Sequence, residues 1–484
     1  MPRFRAPHVW LLVCFAVSRV LYFVAGVRFQ TPHLATNFQF LDLALLRTRL
    51  WETLYYSHVQ PPLMNAILGA ILKLFPDHYG PAFHVFHLIL GAASTLLLYQ
   101  LMLDLGLAAR LAFILTAIFM TLPGCVLWEN YPLYEYELMF LLLLSSWAFF
   151  RLFRQPSTGW SLLFFTSLAA LAYIRSLYHV YLLFAFVAVV WFVLQKARTQ
   201  LLLGAAVPVV AVLALSLKNL AVFGFFGCSS WLGANMIVVT AHQIAVDDKA
   251  QLIRAGKLSP MADVEPGDDV ARYRPFVGEV PLTGIPILDE DTKQAGGTVN
   301  TNHMVYLKAD AMNRELAKQS LRLRPKGYLQ SVGIAIFCYF LPATDFFHFD
   351  DNRAVIRPLD HAANVLVFGQ FRETTRKGLR DLKAKGAGAS LLLYTGTFLI
   401  VLVPLLLGWG TLLAWRSTGP MQALVIYLLF QIVFILITTT LLSSFENNRY
   451  RFPTDPMYAL LLGTLISRLG YKVNPYSRSG GHKQ

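Results

Sequence analysis

Residues 137–195 read ELMFLLLLSSWAFFRLFRQPSTGWSLLFFTSLAALAYIRSLYHVYLLFAFVAVVWFVLQ. Three apolar runs, at about 137–153, 160–174 and 176–195, follow one another with only short polar breaks. A hydrocarbon core takes roughly 20 residues of helix to cross, so runs of this length in close succession predict helices packed across a bilayer. They are continuous rather than alternating, which argues against a membrane β-barrel.

The same pattern extends in both directions. Apolar runs lie at about 8–26, 81–103, 107–124 and 201–223, then, after a long polar region, at 389–414, 421–442 and 457–469. These predict an all-α polytopic membrane protein of ten crossings, with 328–343 as a further apolar piece of uncertain assignment. Composition agrees: of 484 residues, 56% are hydrophobic and 14% charged, with a mean hydropathy of +0.52, whereas a soluble domain carries about 25% charged residues.

Lys and Arg in short connections are retained on the cytoplasmic side. Arg3 and Arg5 place the N-terminus inside, and Arg110, Arg151 with Arg154, and Lys196 with Arg198 fall at alternate turns. Residues 27–80, 125–136 and 224–388 are then outside, and Arg416, Lys472, Arg478 and Lys483 inside. One segment disagrees, because 372–385 holds six basic against two acidic residues in a region assigned outside. If 328–343 crosses, that segment moves inside and the Arg449 region changes sides. The first apolar run has basic flanks but no small-x-small cleavage site, and reads as an uncleaved helix.

A net charge of +14 is spread over loops and tails. It predicts contact with anionic lipid headgroups rather than nucleic acid, for which an aromatic-studded basic groove would be expected. Four scattered cysteines form no Cys-x-x-Cys pair, so neither zinc nor a disulfide framework is indicated.

The chemistry concentrates in the loops. Phe38, Leu41, Leu45, Leu46, Leu50 and Leu54 recur at helical spacing, predicting a surface helix over 37–56 with Asp42 on its polar face. A placed carboxylate is what a general base needs to take a proton from an acceptor hydroxyl; the plain alternative is the wet face of an amphipathic helix. His58 and Gln60 follow, and Pro61-Pro62 stops the helix. In the second loop, Trp128-Glu129-Asn130-Tyr131-Pro132-Leu133-Tyr134-Glu135-Tyr136-Glu137 packs three carboxylates and three tyrosines into a short connection. Glu129 is expected to face Asp42, orienting an acceptor or holding a divalent cation; the alternative is an interfacial aromatic belt. His84 and His87 share an apolar helix and read as packing or capping residues.

Lys218 lies in an apolar run, where a charge needs a partner and a lipid phosphate supplies one; snorkelling to the interface is the alternative. Ser229 and Ser230 follow Gly224 and Gly227, where backbone amides can approach an anion. Before the last run stands Ser443-Ser444-Phe445-Glu446-Asn447-Asn448-Arg449-Tyr450-Arg451-Phe452-Pro453, whose Arg449 and Arg451 suit paired phosphate oxygens.

Taken together, an external Asp42 after the first span, the His58-x-Gln60-Pro61-Pro62-Leu63 element, the Glu129-Asn130 pair and Glu446-Asn447-x-x-Tyr450-Arg451-Phe452-Pro453 resemble the GT-C superfamily of integral membrane glycosyltransferases. The nearest relatives by this resemblance are protein O-mannosyltransferases and the lipid A aminoarabinose transferase. The resemblance covers about 8–235 and 443–469. It implies a seven-helix module, an active site at the outer membrane surface and an inverting transfer from a polyprenyl-phosphate-linked sugar, with Asp42 as catalytic base and Glu129 as the second-loop acid. Leu41-Asp42-Leu43 holds one acid where the protein mannosyltransferases have an Asp-Glu pair.

The expected organisation is a transmembrane module over 1–235, an external subdomain over 236–388, C-terminal helices over 389–469 and a basic cytoplasmic tail over 470–484. The expected substrate-binding residues are His58, Gln60, Asn130, Tyr134, Lys218, Ser229, Ser230, Arg449 and Arg451, with no assigned metal ligands. The setting expected is a bacterial inner membrane with the site facing the periplasm. The competing function is a flippase for lipid-linked sugars, which would need paired charges along a path through the bilayer. Residues 236–327 hold twelve acidic residues and name no acceptor.

Overall fold

The structure, a computed structural model, describes residues 6–372 and 395–473. Among these the regular structure is helical, and the β geometry is a single isolated bridge between Thr292 and Val299. In lipid each backbone N–H and C=O needs an internal partner, which a helix supplies within one segment. Each of the ten apolar runs is accordingly helical over most of its described residues, the run at 389–414 from Thr397 on.

Six of these helices are long and apolar enough to cross a membrane: Ala6–Val24, Tyr79–Asp104, Glu135–Arg154, Gln195–Phe223, Thr397–Arg416 and Gly419–Leu442. Ala109–Thr121 and Pro123–Glu129 form a seventh when taken as one span bent by 55°. Proline drives the residue before it out of the helical region, and Leu122 sits at ψ 144. Thr158–Ile174 and Val180–Val193 are apolar but shorter, at 17 and 14 residues. The last helix is Asp455–Val473. The piece at 328–343 falls in the helix Pro325–Tyr339, whose 15 residues are short for a crossing. The basic segment 372–385 and the tail beyond 473 lie outside the described residues, apart from Arg372.

The helix Thr158–Ile174 packs on both Arg198–Phe223 and Glu135–Arg154, and Glu135–Arg154 also packs on Gly419–Leu442. Close approach is needed at Gly204, where a Cβ would come within 2.6 Å of the Leu162 backbone nitrogen.

Loops from distant parts of the sequence meet in one layer at an end of this bundle. Arg28 N donates to Asn352, Asn37 Nδ2 to the Pro132 carbonyl, Lys293 to Asn37, and Ser230 N to the His58 carbonyl. The single surface helix expected over 37–56 is instead two short ones, Leu43–Thr48 and Leu50–Tyr55, broken at Arg49 (φ −130, ψ 45). Asp42 therefore stands at the N-cap of the first rather than on a helix face. After Pro62 the chain re-enters the bundle as Leu63–Leu74. Residues 231–323 build a second apolar core, with Ile237, Leu252, Met261, Tyr273, Val305 and Tyr306 buried in it.

The orientation read from the charges is checked by cysteine labelling in a Cys14→Ser background. Leu282→Cys, on the exposed rim of the second core, is expected to react with a membrane-impermeant maleimide from outside. Thr418→Cys, between the Thr397 and Gly419 helices, is expected to react only after the membrane is opened. The reverse pattern would overturn the orientation.

Candidate active site

Asp42 is 2% exposed although it sits in a loop. Asn65 fixes the approach to it: its Oδ1 accepts from Leu41 N at 2.8 Å and its Nδ2 donates to the Gln39 carbonyl at 3.2 Å. The Asp42 carboxylate then caps its own helix by accepting from Ala44 N at 2.8 Å. A strap from the second core lies over it, and Gln294 N and Ala295 N (3.3 Å) donate to the same carboxylate. Lys293, the next residue back, buries its ammonium against the carbonyls of Asn37 (2.7 Å) and Ala35 (3.4 Å). Burial pushes this lysine down to about 8, with Asp42 pulling the other way.

Three of the residues singled out in the sequence, Lys218, Ser229 and Ser230, converge on 55–60, the segment that holds His58 and Gln60. His58 is fully enclosed between Ser230 Oγ, 2.7 Å from Nδ1, and the Asn302 carbonyl, 2.8 Å from Nε2. A carbonyl only accepts, so Nε2 carries the ring proton and Nδ1 accepts from the serine hydroxyl. Burial pushes the imidazole down to about 3, against the opposing pull of the Asn302 carbonyl. Asn302 Oδ1 also accepts from His58 N at 2.8 Å. Ser229 Oγ donates to the Val59 carbonyl at 2.6 Å, and Lys218 donates to the carbonyls of Tyr55 (2.8 Å) and Ser57 (3.2 Å). The amides expected to meet an anion here have protein partners: Ser230 N bonds the His58 carbonyl and Trp231 N bonds Ser229 Oγ. Gln60 is half-buried beside them.

Glu129 departs from its expected place. It closes the short helix after the bend and points into the bundle, where Arg19 Nε meets Oε1 at 2.9 Å and Arg19 Nη2 meets Oε2 at 2.9 Å. Tyr136 donates to the same carboxylate at 2.7 Å. Asn130 turns its amide back to the Val126 carbonyl. Beside them His87 bridges the Glu129 carbonyl and the Glu137 carboxylate, each at 2.8 Å, while His84 stacks on Phe29 at 5.1 Å. Gly91 leaves the room, since a Cβ there would come within 2.7 Å of Glu129 and 2.4 Å of the Tyr136 hydroxyl. Arg19 was legible as a lone charge in the first apolar run, which needs a partner; Glu137 stood among the three carboxylates of the second loop, but its pairing with His87 had no signal in the spacing.

The third cluster lies where the Glu135 helix begins. Glu135 receives Arg449 Nε at 2.6 Å and Arg175 Nη1 at 3.6 Å. Arg449 also pairs with Glu446 at 2.7 Å and reaches the Tyr134 hydroxyl at 3.4 Å. Arg175 lies over the Tyr450 ring at 4.0 Å and is the cation that the sequence reading missed. Phe445 turns the chain into this cluster at φ +73, rare for a bulky residue. Arg451 faces elsewhere: it is fully buried, paired with Asp455 at 2.9 Å, and donates to the carbonyls of Tyr339 and Leu341.

Asn37 joins the first and third clusters. Its carbonyl takes Lys293 and its side chain takes the Tyr131 hydroxyl at 3.2 Å, and Tyr131 reaches Arg449 through Phe346, with ring and cation each 5.8 Å from it. Among the described residues no three His, Cys, Asp or Glu side chains are grouped to hold a metal ion. With Glu129 committed to Arg19, the residues do not fit a cation shared with Asp42.

These features define an all-helical, multi-pass membrane protein with a polar site in the loop layer at one end of its bundle. No family model and no curated protein matches the chain. Among solved structures it is similar to the oligosaccharyltransferase of Archaeoglobus fulgidus, crystallised with a tethered acceptor peptide, at 11% identity and a TM-score of 0.38. The alignment covers 98% of this chain and 52% of that one, so the chain spans about half the length of that relative.

His58 sets a testable acid sensitivity. Its folded-state value lies below the ordinary 6.5, so the unfolded chain binds more protons between about pH 6.5 and 3. Stability from the neutral ring is complete above that window and drains as pH falls, by at most ~1.4 kcal/mol per pH unit. Thermal midpoints taken from pH 7 to 4 are expected to fall less steeply in His58→Gln than in wild type; parallel slopes would refute the neutral, locked ring.

Proposed function

We propose that this chain is a glycosyltransferase of the GT-C kind, moving a sugar from a polyprenyl-phosphate-linked donor to an acceptor hydroxyl at the external membrane face. The observation that carries this is a loop-held carboxylate, Asp42, sharing a layer with an arginine-tyrosine cluster through Asn37 and Tyr131. In the proposed step Asp42 takes the acceptor's hydroxyl proton. The acceptor oxygen bonds to the anomeric carbon from the face opposite the leaving group, and the anomeric carbon–oxygen bond to phosphate breaks. The electron pair leaves with the lipid phosphate, and the proton on Asp42 passes to water.

Arg449 and Arg175, with the Tyr134 hydroxyl, are the groups proposed for that phosphate. Lys218, which donates to backbone carbonyls, is proposed to meet a headgroup at the interface. Glu129 is assigned to positioning, because Arg19 and Tyr136 take up its carboxylate. His58, Ser229 and Ser230 hold the turn behind Asp42, Gln60 and Asn130 line the same loops, and Arg451 shapes the chain that presents Arg449. Donor class, inversion and bacterial inner-membrane setting belong to the same proposal.

The flippase reading asks for paired charges along a path through the bilayer. Arg19–Glu129 and His87–Glu137 are such pairs, but their side chains are between 0% and 9% exposed. They are closed into packing rather than lining a passage.

The test is reconstitution in lipid nanodiscs with a panel of polyprenyl-phosphate sugars, following release of free polyprenyl phosphate. Asp42→Asn is expected to lower turnover ~10²–10⁴-fold, the usual worth of a placed base, and Arg449→Ala to weaken donor use. Equal release by wild type and Asp42→Asn across the panel would sink the catalytic assignment.

A further inference from the structure

The strap over Asp42 contradicts a ready base. Ala44 N and Ala295 N both donate to Oδ1, and Gln294 N donates to Oδ2. Two of these three amides come from a segment some 250 residues away in the chain. With the carboxylate buried beneath them, an acceptor hydroxyl has no approach to it. A general base must lie within hydrogen-bond reach of the proton it removes.

The strap is built as a loop tip on fixed posts. At its far post Asn300 Nδ2 donates to the carbonyls of Ile287 and Glu290, and Asn302 bonds Tyr56, His58 and Val59. Between the posts, Lys293 N donates to the Thr298 carbonyl at 2.7 Å and Gly297 N to the Lys293 carbonyl at 3.2 Å, closing a tight turn. Gly296 and Gly297 take that turn at φ +95 and +64, which glycine adopts without steric penalty. The tip is then held down by its two amides on Asp42 and by Lys293, which donates to the carbonyls of Ala35 and Asn37.

We infer that residues 293–298 are a gate that caps Asp42 at rest and lifts to admit the acceptor. Lys293 is its latch. This rests on the proposed role of Asp42 as base, and it makes acceptor binding a displacement: the incoming hydroxyl replaces the strap amides on the carboxylate. The resting site is thereby closed to water, which would otherwise compete as an acceptor.

Two experiments on the full chain in nanodiscs test it. Hydrogen exchange follows the contact without any substrate. Amides at 294–295 are expected to exchange at least about tenfold faster in Asp42→Ala and in Lys293→Met than in wild type, with the posts at 300–302 unchanged. Unchanged exchange at the tip in both variants would overturn the inference. The second locks the gate. A Cβ on Gly296 would lie 3.2 Å from that of Ala35, near the 3.5–4.5 Å of a disulfide. Gly296 sits at φ +95, where a Cβ is itself strained, so the comparison is between the oxidised and reduced forms of the same variant. A35C/G296C, oxidised with copper phenanthroline, is expected to lose donor turnover relative to its reduced form and regain it on reduction, while neither single variant responds to the oxidant. Full turnover by the crosslinked form would overturn the gate. If no form of the protein turns over any donor while the exchange pattern holds, the capping contact stands and the glycosyl-transfer reading falls.

Discussion

A charge carried to membrane depth must be met by another, and this molecule is organised around meeting them. Glu129 is delivered into the bundle by the bend that Pro123 imposes at Leu122, and Arg19 of the first helix receives it with two hydrogen bonds. That pair joins the second loop to the first span across about a hundred residues of sequence. His87 then ties the Glu129 carbonyl to Glu137, and one residue before Tyr136, Glu135 anchors Arg449. The Glu135 helix thus begins with acids that bind three separate parts of the chain. Leaving one such partner alone in a buried pair costs roughly 3–5 kcal/mol, so the loop layer has little freedom to sit elsewhere on the bundle.

The layer itself is held mostly by side chains bonding to backbone. Asn65, Asn302 and His58 each satisfy loop amides or carbonyls that have no helix to belong to. Buried polar backbone must be paired, and packing closes these loop groups off from water. The amides on Asp42 fit the same rule, with the difference that their acceptor is the group proposed to do chemistry. Three amides leave a carboxylate one acceptor site, but Asp42 is buried beneath its helix cap and the strap, so the proposed encounter with an acceptor needs the strap to lift.

The helical runs were legible because length and hydropathy are local properties, and all ten are helical among the described residues. The broken first-loop helix was not. Its apolar spacing is real, yet the helix breaks at Arg49 (φ −130, ψ 45), and Leu50 beyond the break packs at Gly69 of the next helix, a contact that spacing within 37–56 does not carry. The site shows the same division. Asp42, His58, Lys218 and Arg449 stood out as polar residues in apolar or loop contexts. Their partners did not: Asn302, Lys293 and Gln294 come from a polar stretch of unremarkable composition, where spacing carries no information about what they will touch. Glu129 was found as a residue and misplaced in direction, because its partner Arg19 was counted with neither loops nor sites.

Charge balance at the third cluster adds a constraint on donor binding. Arg449 and Arg175 face Glu135 and Glu446, so the two guanidinium charges are matched by two carboxylates before any phosphate arrives. A phosphate gains little from a neutral cluster unless one carboxylate yields its place. Glu135 is fully buried and bonded at the start of its helix, whereas the Glu446 side chain is 26% exposed, next to the strained turn at Phe445. Moving Glu446 to water costs far less desolvation than moving Glu135. Under the proposed function, a lipid phosphate on Arg449 would take the place of Glu446, with Glu135 keeping the guanidinium in place. Both ends of the proposed reaction then share one design, in which a protein group occupies the substrate's position and is displaced by it.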